Sequence, residues 1–394
     1  MTSNNKIHLN NFLFHLFLVS TAMMPFISLF WQVNFLNIKV NWLVYPVLLA
    51  GLISTLVIKL RAPASFFFLL FLTVFYLLLS VINAGEVETI FRVFISLAPL
   101  TYIVVFTCNQ HSSAKYFWWL YALSFSLPMY YAYLQYTGQM PFNDFDSIDD
   151  QVVGRVSAGY NKPMNFIAFL LPVYLYGFYK WRVLKKKAGL IVVVLVLLII
   201  YLIGHRTSLF AFGVIFLSSF FSTQTIFFVK IYYKYFLNFF IGIGSLIFFR
   251  LLLMYAGVID IIRGRVPMWE SHSQQFLDSS ILEILFGTQH VWLIEKYRHP
   301  GMLIFEEVHN NSYRTILIFG IAGFFIYCAF MRSIVIYISR LNYPKELQFV
   351  VFSCFTYFIL YTITNEPIYY GSVLWPILIW IFLAPSTDLR EQHN

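Results

Sequence analysis

Residues 188–222 read AGLIVVVLVLLIIYLIGHRTSLFAFGVIFLSSFFS: two apolar runs parted only by Gly204-His205-Arg206. Neither run carries a charge, and each approaches the roughly 20 residues a helix needs to cross a bilayer core of ~30 Å. The same texture continues in both directions. Of 394 residues, 60% are apolar, 21% aromatic and 11% charged, whereas an ordinary globular domain is about 25% charged. A chain so poor in charge lacks the polar groups to cover its surface. The runs are long and continuous, unlike the ten-residue alternations of a β-barrel. Cys108, Cys328 and Cys354 stand far apart, without the spacing of a metal or redox motif. The sequence predicts an all-α polytopic membrane protein of about 12 transmembrane helices.

The predicted spans are 12–30, 42–58, 64–82, 91–107, 116–136, 164–180, 188–204, 207–222, 235–256, 313–331, 347–363 and 372–384. No cleavage site follows the first, so it reads as a helix and not a removable signal. Placing both termini in the cytoplasm puts 15 of the 26 Lys and Arg on that side, as the positive-inside rule expects. The basic balance then reflects topology and anionic lipid contact, and nucleic acid is not expected as a partner. Residues 1–394 read as a single integral membrane domain with two long outer loops, 137–163 and 257–311. Long loops in an economical chain are commonly functional. Within the second, the amphipathic stretches Trp269–Phe276 and Ile281–Phe286 read as surface helices. No internal repeat and no inverted pair of broken helices is visible, which weakens a transporter reading.

The chemistry is expected at the outer edge. Arg155, Arg206, Arg263, Arg265 and Arg298 fall there, with Arg250 about six residues inside a span. A guanidinium fork suits phosphate and diphosphate, which accept paired hydrogen bonds. The plainer alternative pairs each arginine with an acid, and Asp144, Asp146, Asp149, Asp150, Asp260, Glu306 and Glu307 are available. Arg206 has no acid near it in sequence. His309, with Asn310 beside it, stands where a helix begins, and an imidazole there suits a general base for a sugar hydroxyl. Equally, it is an ordinary histidine at a loop end. His205, His272, His290 and His299 read as ordinary, and no metal or other cofactor is expected. The many aromatics read as lipid-facing bulk and interfacial belts, with Trp269, Trp292, Tyr297 and Tyr313 as candidates to stack on sugars.

Four segments in order carry a resemblance. They are Arg-Val-Ser-Ala-Gly-Tyr-Asn-Lys-Pro (155–163), Gly-His-Arg-Thr-Ser-Leu (204–209), Gly-Arg-Val-Pro-Met-Trp (264–269) with Leu-Phe-Gly (285–287), and His-Asn-Asn-Ser-Tyr (309–313) leading into Ile-Phe-Gly-Ile-Ala-Gly-Phe (318–324). Together they resemble the O-antigen polymerase and O-antigen ligase superfamily over roughly 150–330. Thr288-Gln289 stands where that family often has a second glycine, and the long loop is shorter than in many ligases.

The resemblance implies a GT-C-type glycosyltransferase bundle in the bacterial inner membrane, taking an undecaprenyl-diphosphate-linked oligosaccharide as donor. It implies lipopolysaccharide biosynthesis, and a polysaccharide chain-length regulator as partner alongside membrane lipids. Arg206 and Arg265 would hold the diphosphate and His309 would serve the acceptor hydroxyl, with Glu306, Glu307 or Glu366 as alternative bases. Arg155, Arg263, Arg250 and Asn310 would contact substrate. The expected activity is an O-antigen polymerase joining repeat units by inverting transfer at the periplasmic face. The alternatives are a ligase onto lipid A core and a lipid-linked oligosaccharide flippase.

Overall fold

A computed structural model of the chain describes residues 22–30, 71–76, 115–142, 144–148, 151–160, 163–218, 266–288 and 311–339, with shorter pieces at 12, 15–16, 19, 34–35, 38–39, 78 and 357. The helices in chain order are α1 (Met24–Ile27), α2 (Lys115–Tyr136), α3 (Pro163–Arg182), α4 (Lys187–Ile203), α5 (Arg206–Ser218), α6 (Val266–Leu277), α7 (Ile281–Phe286) and α8 (Asn311–Ser339). Two antiparallel ribbons accompany them. One pairs β1 (Asn34–Phe35) with β2 (Ile38–Lys39), and the other pairs β3 (Asp144–Ile148) with β4 (Gln151–Arg155).

The expectation of a twelve-helix membrane bundle is corrected. Among the described residues, no helix is long and apolar enough to cross a membrane. α4 is the most uniformly apolar, but its 17 residues extend only about 25 Å at 1.5 Å per residue. α2 has 22 residues and fills many of them with Tyr, Trp, Ser and Gln. α3 ends in Lys180 and Arg182. α8 is interrupted at Gly320, whose backbone is not helical. Apolar runs read from sequence alone joined stretches that the backbone breaks or that polar side chains dilute. The GT-C bundle falls with the spans. So do the multi-pass inner-membrane placement and the membrane-lipid and lipid-linked partners. The polymerase, ligase and flippase activities, all argued from a membrane-embedded frame, are withdrawn on the same ground. The expected spans 42–58, 91–107, 235–256, 347–363 and 372–384 lie outside the described residues, Tyr357 apart.

What organises the described helices is close backbone approach together with buried tyrosines. α3 opens on Pro163, a residue suited to the first helical turn because its missing N–H has no helical partner there. Its last turn carries Lys180 and Arg182, favourable against the negative end of the helix dipole. Lys185, at φ 55°, reverses the chain into α4. There Gly189 meets Gly177: a Cβ on Gly177 would lie 3.1 Å from the Gly189 carbonyl oxygen and 2.9 Å from Val192. The two glycines let the antiparallel pair sit nearly backbone to backbone. α4 buries Gly189, Val193, Val196, Ile200 and Ile203 at alternating spacings of four and three, and leaves Val194, Leu195 and Leu198 exposed.

Tyrosines fasten the remaining elements. Tyr121 on α2 donates to the Phe169 carbonyl of α3 at 2.6 Å, and Tyr174 on α3 to the Phe212 carbonyl of α5 at 2.9 Å. Tyr160 reaches back to the Pro25 carbonyl of α1 at 2.7 Å. All three side chains are buried. These three rings are interior, whereas Trp119, Tyr133 and Tyr201 are exposed. Each interior ring brings a large apolar area and a hydroxyl that a buried environment requires to be bonded.

Candidate functional site

The four sequence segments occupy three places. The first is held from α2. Gln135, fully buried, accepts hydrogen bonds on its side-chain oxygen from the backbone N–H of Ser157 at 2.9 Å and of Ala158 at 2.8 Å. Its amide nitrogen donates to the Pro141 carbonyl and to Ser157 Oγ. The loop needs this anchor because Ala158 and Gly159 both adopt positive φ, 54° and 81°. Gly159 also has no room for a side chain, since its Cβ would sit 2.6 Å from the Tyr131 ring. Just before this loop, Arg155 ends β4 opposite Asp144, its cross-strand partner.

The second segment is the α4–α5 turn. Gly204, at φ 76°, caps the end of α4 in the left-handed conformation that glycine adopts without penalty. His205 Nδ1 then accepts from the Ser208 N–H at 3.3 Å. An acceptor that reaches the third helical N–H in this way is an N-cap. Sequence reasoning gave His205 no special role, and it is the start signal of α5. Arg206 is the first residue of that helix.

The third and fourth segments come together. Ser273 on α6 and Tyr313 in the first turn of α8 share a hydrogen bond of 2.7 Å between hydroxyls. Along the same helix Ser271, His272 and Gln275 are buried, and Thr315 is buried on α8. Burial pushes the Tyr313 hydroxyl well above its ordinary pKa, and the Ser273 contact offsets only part of that. Tyr313 is therefore a neutral hydrogen-bonding group, packed inside the fold and not offering an open face to a sugar. Ser271, His272, Ser273 and Gln275 did not stand out in sequence as a site; the visible signal was a polar cluster within the amphipathic stretch 269–276.

α7 starts on a capping box: Ser280 accepts from the Glu283 N–H, and Glu283 accepts from the Ser280 N–H at 2.7 Å. The chain then passes Gly287, at φ 82°, and meets α8 at its break. A Cβ on Gly287 would collide with the backbone of Ile318 and Gly320, and one on Gly320 with the backbone of Leu285 and Gly287. Thr288 donates its N–H to the Leu317 carbonyl at 3.1 Å, and its hydroxyl donates to the same oxygen at 3.2 Å.

Of the arginines, His309 and Asn310 predicted for the site, only Arg155 and Arg206 fall on described backbone. His309, Arg265, Arg263, Arg250 and Asn310 lie outside the described residues. Arg265 immediately precedes α6 in sequence, and His309 and Asn310 immediately precede α8. Among the described residues, no group of three His, Cys, Asp or Glu gathers in a metal-ligating arrangement. The arrangement at α6–α8 buries hydroxyl, amide and imidazole groups, a neutral hydrogen-bonding set. No protein family matches the sequence, and no curated protein or solved structure matches it either.

Proposed function

We propose that the chain is a helical binding protein for a hydroxyl-rich anionic small molecule, in chemical class a phosphorylated carbohydrate. The binding region is assigned to the chain leading into α6 and α8, which carries Arg265, His309 and Asn310, with the part-buried Ser273–Tyr313 pair joining the two helices. The Ser273–Tyr313 hydrogen bond carries this reading. It ties the helix that follows Arg265 to the helix that follows His309 and Asn310, so two segments chosen for their chemistry start from neighbouring elements. In this reading Arg265 supplies charge to the phosphate and His309 bonds a sugar hydroxyl. Arg263, Arg250 and Asn310 would form the outer set. The four segments are then kin to the O-antigen polymerase and ligase superfamily as local motifs, without that family's architecture.

Titration calorimetry of the full chain with glucose 1-phosphate tests it, with glucose and inorganic phosphate as separate arms. Saturable binding is expected for the sugar phosphate and weaker binding for either half. Arg265→Ala should weaken it by about ten- to a hundredfold, the loss of one charge-assisted hydrogen bond. Arg265→Lys should recover only part of that, because an ammonium does not reproduce the paired fork. Absence of saturable heat in all three arms would sink the proposal.

A further inference from the structure

The break in α8 is a built feature with three independent supports. Gly320 holds φ 67° and ψ −175°, a conformation essentially reserved for glycine. Gly287 presses its backbone into the gap, and Thr288 bonds the Leu317 carbonyl, whose ordinary helical donor would be the Ile321 N–H just beyond the break. The third support comes from far away in sequence. Tyr76, in the helical stretch 71–76, donates its hydroxyl to the Phe319 carbonyl. The Gly323 N–H faces the same phenolic oxygen. A Cβ at Gly323 would come within 2.8 Å of Tyr76 Cζ, so only glycine leaves space for the hydroxyl.

In an uninterrupted helix the Gly323 N–H would bond the Phe319 carbonyl directly, since these residues stand four apart. The Tyr76 oxygen lies between that donor and that acceptor. A side chain inserted into the helical ladder is one of the few recognised causes of a sharp kink. The ring is fixed as well: it meets Phe319 edge-on at 4.7 Å between centroids, and the neighbouring Phe75 lies 5.8 Å from Phe286 of α7. Helix 71–76 therefore touches both sides of the α7–α8 contact.

We infer that Tyr76 is a positioning residue whose hydroxyl, seated in the Phe319–Gly323 rung, holds α8 broken and so sets where the arm Asn311–Phe319 lies against α6 and α7. With the rung closed, α8 straightens through Gly320, and the Gly287–Thr288 backbone loses its seat. The arm carries Tyr313, so its placement also sets the binding region; that last step rests on the ligand-binding reading above.

Hydrogen–deuterium exchange on the full chain tests the pin without any ligand. Tyr76→Phe keeps the ring and removes only the hydroxyl. Exchange at the Thr288 amide, on another element, should accelerate about tenfold, the equivalent of one hydrogen bond. The α4 amides serve as an unchanged reference. Gly323→Ala, which fills the hydroxyl's space while favouring helix, should give the same effect at Thr288. A purely local packing role would disturb only residues 319–323, so an unchanged Thr288 amide in both variants overturns the inference. In calorimetry, both variants should weaken glucose 1-phosphate binding about tenfold if the binding region loses one hydrogen bond. Accelerated Thr288 exchange with unaltered affinity overturns the link between arm and ligand. A wild-type chain that fails to bind glucose 1-phosphate sinks the ligand reading, and the exchange result then judges the pin by itself.

Discussion

Gly287 and Gly320 lie backbone against backbone, each occupying the space where a side chain on the other would stand. Both have positive φ, 82° and 67°, so at each position the steric demand and the conformational demand select the same residue. Gly320→Ala should cost about 2–4 kcal/mol, combining a sparsely populated backbone conformation with an enforced separation of α7 and α8. Gly138, also at positive φ but with nothing within 4 Å, isolates the conformational part. Gly138→Ala should cost about 1–2 kcal/mol. Thermal unfolding of the two variants side by side separates the contributions.

Gln135 supplies a second graded test. Its removal strands two buried backbone N–H groups at Ser157 and Ala158, and each stranded group costs about 1–3 kcal/mol. Gln135→Ala should therefore be among the most damaging polar substitutions in the chain. Gln135→Glu keeps an acceptor for both N–H groups and loses the donation to Pro141 and Ser157, so it should fall between. Denaturant midpoints, with proteolysis near 137–160 as a local readout, give the order.

Removing a hydroxyl from a buried tyrosine should matter and from an exposed one should not. Tyr121→Phe, Tyr160→Phe and Tyr174→Phe each abandon a bonded carbonyl on another element and should each cost about 0.5–1.5 kcal/mol. Tyr201, 65% exposed, is the control, and Tyr201→Phe should shift the unfolding temperature negligibly.

Burial pushes the Cys328 thiol up to about 12. The nucleophile is the thiolate, so at pH 8 only on the order of one thiol in ten thousand is reactive if the pKa is about 12. Maleimide labelling of Cys328 in the native chain should run about a thousandfold slower than that of an exposed cysteine. Its rate should climb about tenfold per pH unit below the pKa. Peptide mapping after labelling at pH 7, 8 and 9 tests both the rate and the slope.

Several helices were readable as helices. The amphipathic stretch expected at Ile281–Phe286 is α7, and the apolar runs expected at 188–204 and 207–222 coincide closely with α4 and α5. Membrane crossing was not readable from those runs, because crossing depends on unbroken helical length, and Gly320 interrupts α8 by conformation without changing its composition. The ribbon β3–β4 was also missed. Asp144-Phe-Asp and Val152-Val153 alternate weakly, and a two-stranded ribbon between helices gives little periodic signal. At the site, the Gly204-His205-Arg206 turn announced a helix start but not that His205 caps it. The contacts that define the α8 break could not be read at all: Tyr76 and Phe319 stand 243 residues apart, and no local propensity encodes such a pairing.

The tyrosine fastenings bind unequal partners. One side is a particular phenol; the other is a main-chain oxygen that every amino acid possesses. The receiving helices are thus at liberty to exchange side chains at Phe169, Phe212 and Pro25 so far as this bond is concerned, whereas Tyr121, Tyr174 and Tyr160 are not. Drift in distant cousins of this chain should accordingly be lopsided, with hydroxyl-bearing rings persisting opposite positions that have wandered. Covariation between the two ends should be faint even though they touch.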